Sequence, residues 1–323
     1  MSDVIMRVEE LSKYFPTKKF DENQQRMYVK AVDNVTFSVH EGETLGIVGE
    51  SGCGKSTLGR TMIRLQEPTD GRIYFRGKDI SNLKEREMRS IRREVQIMFQ
   101  DPYASLDPRM TVGDIIAEPL DIQKIYKDPK ERLDRILELM ELCGLNKNYI
   151  TRYPHEFSGG QRQRIGIARA LSVRPSLVIC DEPVSALDVS IQSQIINLLI
   201  ELKKKLNLSL VFISHDLSVV RHIADRVIVM YLGRIMEVGS KKDIFENPQH
   251  PYTQALLSAI PVIGEDSFET MQVLEGELPS PVNPPPSCPF STRCPYALPE
   301  CSRMVQPYRN LGAGHFAACH RAR

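Results

Sequence analysis

Apolar residues along the chain alternate between short unbroken runs and longer stretches where they recur every three to four positions. The runs at 44–48, 95–99, 177–180, 210–214 and 227–231 predict strands buried on both faces. The periodic stretches at 57–65, 129–143, 161–171 and 189–206 predict helices between them. That alternation is the signature of an α/β domain with a mainly parallel sheet. Ahead of and between these elements, 4–11, 31–39 and 72–75 read as strands of a smaller antiparallel sheet, with polar 17–27 as a loop. Residues from 101 to about 157 read as mostly helical. Beyond about 239 the periodicity weakens, and PSPVNPPP (279–286) reads as a stiff linker.

Charge narrows the function. A net charge of +1 over 323 residues gives no basic field for nucleic acid. REMRSIRR (86–93) reads as a solvated helix face, with a docking surface as the alternative. No apolar run approaches the ~20 residues that cross a bilayer. MSDVIMRVEE lacks a signal-peptide core, so the chain is expected on the cytosolic side, where thiols stay reduced. The seven cysteines are therefore not expected to form structural disulfides.

GESGCGKST (49–57) fits G-x-x-x-x-G-K-[ST] between a predicted strand and a predicted helix. Gly49, Gly52 and Gly54 let the backbone turn so that N–H groups of Ser51, Cys53 and their neighbours face one anion. The helix that follows, opened by Thr57, adds its dipole. Lys55 brings a full charge to the terminal phosphates, and Ser56 a hydroxyl for Mg²⁺. SLVICDEP (176–183) ends a strand in two carboxylates: Asp181 suits a Mg²⁺ shell, and Glu182 a general base toward water. His215, ending VFISHD, is a candidate γ-phosphate contact, and Gln100 closes VQIMFQ at another strand end.

FSGGQRQR (157–164) offers a second anion-ready helix start at Ser158, Gly159, Gly160 and Gln161. The order GESGCGKST, Gln100, SGGQ, LVICDE, SALD, His215 resembles the ABC ATPase family over roughly 4–245. Phe157 stands where that family usually has Leu. The resemblance implies an ABC-type P-loop ATPase with a RecA-like core, an N-terminal antiparallel β-subdomain and a helical signature subdomain at about 101–160. It implies ATP and Mg²⁺ as cofactors, with Ser56, Gln100 and Asp181 on the metal, and Glu182, His215 and Gln100 in catalysis. Two domains are expected head to tail, with Ser158 and Gly160 reaching the partner's γ-phosphate. Ser185, Ala186, Leu187 and Asp188 are expected along the seam. An aromatic stacked on adenine is assigned to Phe15, with Tyr14 and Tyr28 as rivals.

ENPQHPYTQALLSAIP (246–261) and CPFSTRCPYALPEC…HFAACHR resemble the tail of oligopeptide and dipeptide importer ATPases. That divides the chain into an ATPase domain, 1–245, and a tail region with a cysteine-rich extension, 246–323. It implies a peripheral subunit on the cytoplasmic face of the membrane. Its partners would be a second ATPase in a heterodimer, two permeases and an extracytoplasmic peptide-binding protein, with no nucleic acid. Import of nickel or another small solute is the alternative. A soluble ABC ATPase of DNA repair or translation is a further one, but no long coiled-coil insert is present. A regulatory metal protein that merely binds nucleotide is disfavoured by Glu182 and His215. Cys288, Cys294, Cys301 and Cys319, spaced C-x5-C-x6-C-x17-C, offer four thiolates for a [4Fe–4S] cluster or tetrahedral zinc. The family resemblance favours the cluster; His315 and His320 are substitute ligands for zinc. Cys143 and Cys180 read as apolar filler, and Cys53 as a loop spacer.

Overall fold

The computed structural model describes residues 3–101, 103–260, 279–284 and 287–323. Pro261, at the end of the 246–261 stretch, and Pro285 and Pro286 of the proline run lie outside the described residues. The chain forms two compact units: Met1–Ile5, Val39–Thr44 and Asn82–Ile213, and Met6–Ser38, Leu45–Ser81 and Ser214–Arg323.

In the first unit, strands β6 (Val95–Met98), β7 (Leu177–Asp181) and β8 (Ser209–Ile213) are parallel, with Ile97 opposite Ile179 and Ile179 opposite Val211. Every residue of β7 and β8 is buried, as their unbroken apolar sequences require. Helix α2 (Glu85–Glu94) leads into β6, and REMRSIRR lies on it with only Met88 and Ile91 buried. Helix α3 (Val112–Gln123) starts at a Thr111–Asp114 capping box. Helix α4 (Pro129–Leu142) starts at Asp128, with proline where no N–H is needed. Helix α5 (Gly159–Leu171) packs on α3, α4 and helix α6 (Val189–Leu206). The described residues of 101–157 are thus mainly helical, as the pattern predicts.

In the second unit, β3 (Thr44–Val48) runs parallel to β9 (Arg226–Tyr231), with Ile47 opposite Ile228. Helix α1 (Lys55–Met62) follows β3, and α7 (Leu217–Ile223) precedes β9. The antiparallel sheet joins β1 (Val4–Phe20), β2 (Arg26–His40), β4 (Asp70–Phe75) and β5 (Lys78–Asp79) in the order β2-β1-β4-β5.

Three expectations need correction. The 17–27 loop is mostly strand. Both β1 and β2 run on into it as an exposed ribbon, and Thr17 Oγ1 donates to the Met27 carbonyl at 2.9 Å. Only Asp21–Gln25 turns, with Asp21 Oδ1 accepting from the N–H groups of Asn23 and Gln25. The ribbon's two solvated faces gave no apolar alternation to read. The proline run is not simply a spacer: Val282 pairs with Val29, and Lys30 N–H donates to the Pro281 carbonyl. The tail is also more ordered than its weak periodicity implies. Strand β10 (Arg234–Ser240) pairs with β9 and with β12 (His315–Ala317), which pairs with β11 (Arg309–Gly312). Helices α8 (Lys241–Glu246) and α9 (Pro251–Ser258) pack on β10. β11 and β12 are held by sheet pairing, and α8 and α9 by packing on β10.

Candidate active site and cysteine tail

The loop between β3 and α1 is built by close backbone approach. Gly54 has φ +104°, and a Cβ there would sit 1.9 Å from the Ala31 carbonyl oxygen. At Gly49 a Cβ would meet the Met230 carbonyl oxygen at 2.2 Å. The Cys53 carbonyl accepts from the Gly233 N–H at 2.8 Å, clamping the loop to the β9–β10 turn. Lys55 Nζ donates to the carbonyls of Gly49 (2.8 Å) and Glu50 (2.9 Å). Ser51 and Gly52 are exposed, and Ser56 and Thr57 half-buried at the start of α1. Cys53 is buried, and burial pushes its thiol up, which suits a spacer rather than a reactive group. His215 is exposed, one residue before Asp216, which caps α7 by accepting from Ser218 N–H.

In the first unit, β7 ends in buried Asp181, and the chain then turns sharply. Glu182 has φ +47°, a left-handed conformation uncommon for a residue with a side chain. Its N–H donates to the Ile213 carbonyl at 3.0 Å, and its Oε2 accepts from Gln100 Nε2 at 2.9 Å. Ser158 caps α5 in a box with Gln161: Ser158 Oγ accepts from Gln161 N–H, and Gln161 Oε1 accepts from Ser158 N–H. A Cβ at Gly160 would meet Ile191 Cγ2 at 2.5 Å, and one at Gly159 would meet Leu187 Cδ2 at 3.2 Å. Ser185, Ala186 and Asp188 are exposed, Leu187 is half-buried, and neighbouring Val189 is 79% exposed.

Among the aromatics, Tyr14 is already engaged, its hydroxyl donating to Asp33 Oδ1. Phe15 is half-buried with Lys13 Nζ 5.0 Å from its ring centre, and Tyr28 is 41% exposed.

The sequence reading missed the supports behind the glycine loop. Glu50 N–H donates to the Tyr252 hydroxyl of α9 at 3.0 Å. The Glu50 carboxylate accepts from Arg293 Nη1, with both oxygens at 3.0 Å. Tyr252 lies in the HPYTQALL stretch and Arg293 between two cysteines; only the loop's unexplained glutamate hinted at a cation.

Cys288, Cys301 and Cys319 are buried and Cys294 half-buried. Burial pushes the Cys288 thiol up to about 11, with charge on Cys301, Cys294 and Cys319 a smaller contribution in the same direction. Burial also raises Cys294 and Cys319. Cys288 N–H donates to the Cys301 carbonyl at 2.9 Å, and Arg321 N–H approaches Cys319 Sγ at 3.5 Å. His320 Nδ1 lies 3.5 Å from Cys301 Sγ. His315, by contrast, is turned to Glu237, at 2.7 Å. Among the described residues, no group of three or more His, Cys, Asp or Glu side chains is arranged to hold a metal ion. No described helix is long and apolar enough to cross a membrane. Cys143 and Cys180 are fully buried, and burial raises both to about 12.

Residues 32–185 match the ABC transporter family, and 236–301 match the oligopeptide/dipeptide transporter C-terminal region. The chain is 55% identical to the oligopeptide transport ATP-binding protein AppF of Bacillus subtilis, over 98% of this chain and 97% of that one. It is 55% identical to the oligopeptide transport ATP-binding protein OppF of Escherichia coli, over 90% and 87%. Among solved structures it resembles a dimeric ATP-binding cassette in a post-hydrolysis state bound to ADP and Pi. The TM-score is 0.64 at 30% identity, covering 73% of this chain and 98% of that one. The glycine loop, the strand-end carboxylates and the capped SGGQ helix therefore sit in a cassette of known kind: the chain belongs to the ABC transporter ATPases, in the branch that carries the oligopeptide/dipeptide transporter C-terminal region.

Proposed function

We propose that this chain is the ATP-hydrolysing subunit of a peptide importer. The observation that carries the reading is the tail: residues 236–301 match the oligopeptide/dipeptide transporter region, and the relatives that share it are named for oligopeptide transport or peptide import. The ATPase domain is taken as 1–245, with its helical subdomain at about 101–160, and the tail region as 246–323.

Each motif has a role toward ATP. Backbone N–H groups of 49–57 and the Lys55 ammonium bind the phosphates. Ser56, Asp181 and Gln100 serve Mg²⁺. Glu182 is the general base and Gln100 orients it; His215 steadies the γ-phosphate. Phe15 is the candidate for adenine stacking, with Tyr14 and Tyr28 as its rivals. Ser158, Gly159, Gly160 and Gln161 contact ATP held by a second ATPase subunit, with 185–188 along the seam. The exposure of 185, 186, 188 and 189 supports this. ATP binding favours the closed pair, and hydrolysis reopens it. Two permeases on the cytoplasmic face read this cycle, supplied by an extracytoplasmic binding protein.

Cys288, Cys294, Cys301 and Cys319 would hold a [4Fe–4S] cluster. What supports this reading is the C-x5-C-x6-C-x17-C spacing and the family resemblance. Bound there, the cluster would cross-link a tail too small to build its own core.

The test is ATP-driven uptake into proteoliposomes holding the chain, two candidate permeases and the second ATPase, with the binding protein supplied. Uptake of a labelled oligopeptide is expected. Uptake of nickel without peptide, or ATP hydrolysis insensitive to the permeases, would overturn the reading.

A further inference from the structure

Glu50, the second residue of the glycine loop, is held at all three of its polar groups. Its N–H donates to Tyr252 of α9, its carbonyl accepts from Lys55, and its carboxylate takes Arg293. Arg293 lies 243 residues away in sequence, in the five-residue segment between Cys288 and Cys294. Its side chain is 8% exposed and that of Glu50 25%, so water screens the pair little. The same Nη1 lies 3.3 Å from the Tyr231 hydroxyl. Tyr231, Tyr252 and Phe290 pack ring to ring beside it, with centroids 4.7–5.4 Å apart and all three fully buried. Backbone bonds from Ser291 N–H to Cys288 O and from Arg293 N–H to Phe290 O fix the turn that presents Arg293.

A carboxylate in a loop meant to receive a triphosphate is a liability. Unpaired, it would repel the nucleotide and would let the loop turn away. We propose that Arg293 is a positioning residue for ATP binding: by pairing with Glu50 it neutralises that charge and fixes the phosphate loop. The cysteine-bounded segment thereby sets nucleotide affinity. This rests on reading 49–57 as the phosphate cradle. Arg293 itself touches no reacting atom, so its effect belongs in affinity and not in the chemical step. The tail is then part of the nucleotide site's scaffold, and disturbing Cys288 or Cys294 loosens ATP through Arg293.

The test compares full-length wild type with Arg293→Met, Arg293→Lys, Glu50→Gln and the double variant Glu50→Gln/Arg293→Met, measuring KM for ATP, kcat and the Kd for ATP without Mg²⁺. Arg293→Met is expected to raise KM and Kd about tenfold or more, with kcat within about twofold. Arg293→Lys should show a smaller rise. Adding Glu50→Gln to Arg293→Met should bring KM most of the way back, because the repelling charge is gone. A structural staple alone would not show that rescue. Unchanged KM in both Arg293 variants, or a double variant as impaired as the single, would overturn the proposal. If Arg293→Met does not fold, the Arg293→Lys and Glu50→Gln comparison decides alone. Lys55→Ala is the separate control. Tight ATP binding there would sink the cradle reading itself, whereas lost binding there with unchanged Arg293 variants would sink only this proposal.

Discussion

The Gln100 side-chain amide donates to Glu182 Oε2 at 2.9 Å, joining the second residue after β6 to the residue that follows β7. Glu182 is also fixed from behind, by a left-handed backbone and by its N–H on Ile213 O. If Glu182 is the general base proposed above, this hold keeps its carboxylate oriented. Gln100→Ala should therefore lower kcat about tenfold and leave ATP affinity within a fewfold. Steady-state kinetics with a nucleotide-binding assay checks this. An unchanged kcat would make the contact incidental.

Ser158 caps α5, and its proposed phosphate contact can be separated from that cap. As the cap of α5 its loss costs about 1 kcal/mol, while as a phosphate contact it must offer a neutral hydroxyl. Ser158→Asp keeps the cap but adds a negative charge. It should melt within a few degrees of wild type yet lose nearly all ATPase activity. If Ser158→Asp keeps its activity, the residue does not face a phosphate.

Gly54 and Gly52 make a contrasting pair in the loop. Both have positive φ, but a Cβ at Gly54 would strike the Ala31 carbonyl, while nothing lies within 4 Å at Gly52. Gly54→Ala should abolish ATP binding or destabilise the protein by several kcal/mol, and Gly52→Ala should cost about 1 kcal/mol. Thermal melts with and without ATP rank the two.

His250 should make stability fall in mild acid. It is buried, its Nδ1 accepts from Tyr252 N–H at 3.0 Å, and burial pushes its imidazole down to about 3. The unfolded chain, with a pKa near the ordinary 6.5, binds a proton that the folded chain refuses. This contribution is complete above about pH 6.5 and is lost as pH falls toward 3, by about 1.4 kcal/mol per unit. His250→Asn keeps an acceptor for Tyr252 and should flatten the fall. Urea midpoints at pH 7.0 and 5.5 for both proteins check the difference; equal slopes would contradict it.

The tail's thiols give a compositional test. Anaerobically purified protein should contain about four irons and four sulfides per chain and absorb broadly near 400 nm. Cys301→Ser should remove most of that iron. Zinc near one per chain would assign the tail to zinc instead.

What the sequence made legible was whatever is carried by contiguous residues. The strands 44–48 and 177–180 are unbroken apolar runs, and the glycine loop, DE pair and SGGQ are local motifs tied to strand ends or helix starts. The 17–27 ribbon escaped because both its faces are wet, so strand and loop read alike. β11 and β12 escaped because four- and three-residue strands carry no period of their own; β12 exists by pairing with β10, and β11 by pairing with β12. The Arg293–Glu50 pair was beyond sequence reading for the same reason: 243 residues separate its partners, and only the fold brings them together.

The most direct measurement is Glu182→Gln in the full-length chain. Glutamine keeps the size of the side chain and a bond to Gln100 but removes the base. ATP binding should stay within a fewfold of wild type, while turnover falls by on the order of 10²–10⁴. Wild-type turnover in that variant would contradict the assignment of Glu182, and with it the account of this chain's chemistry.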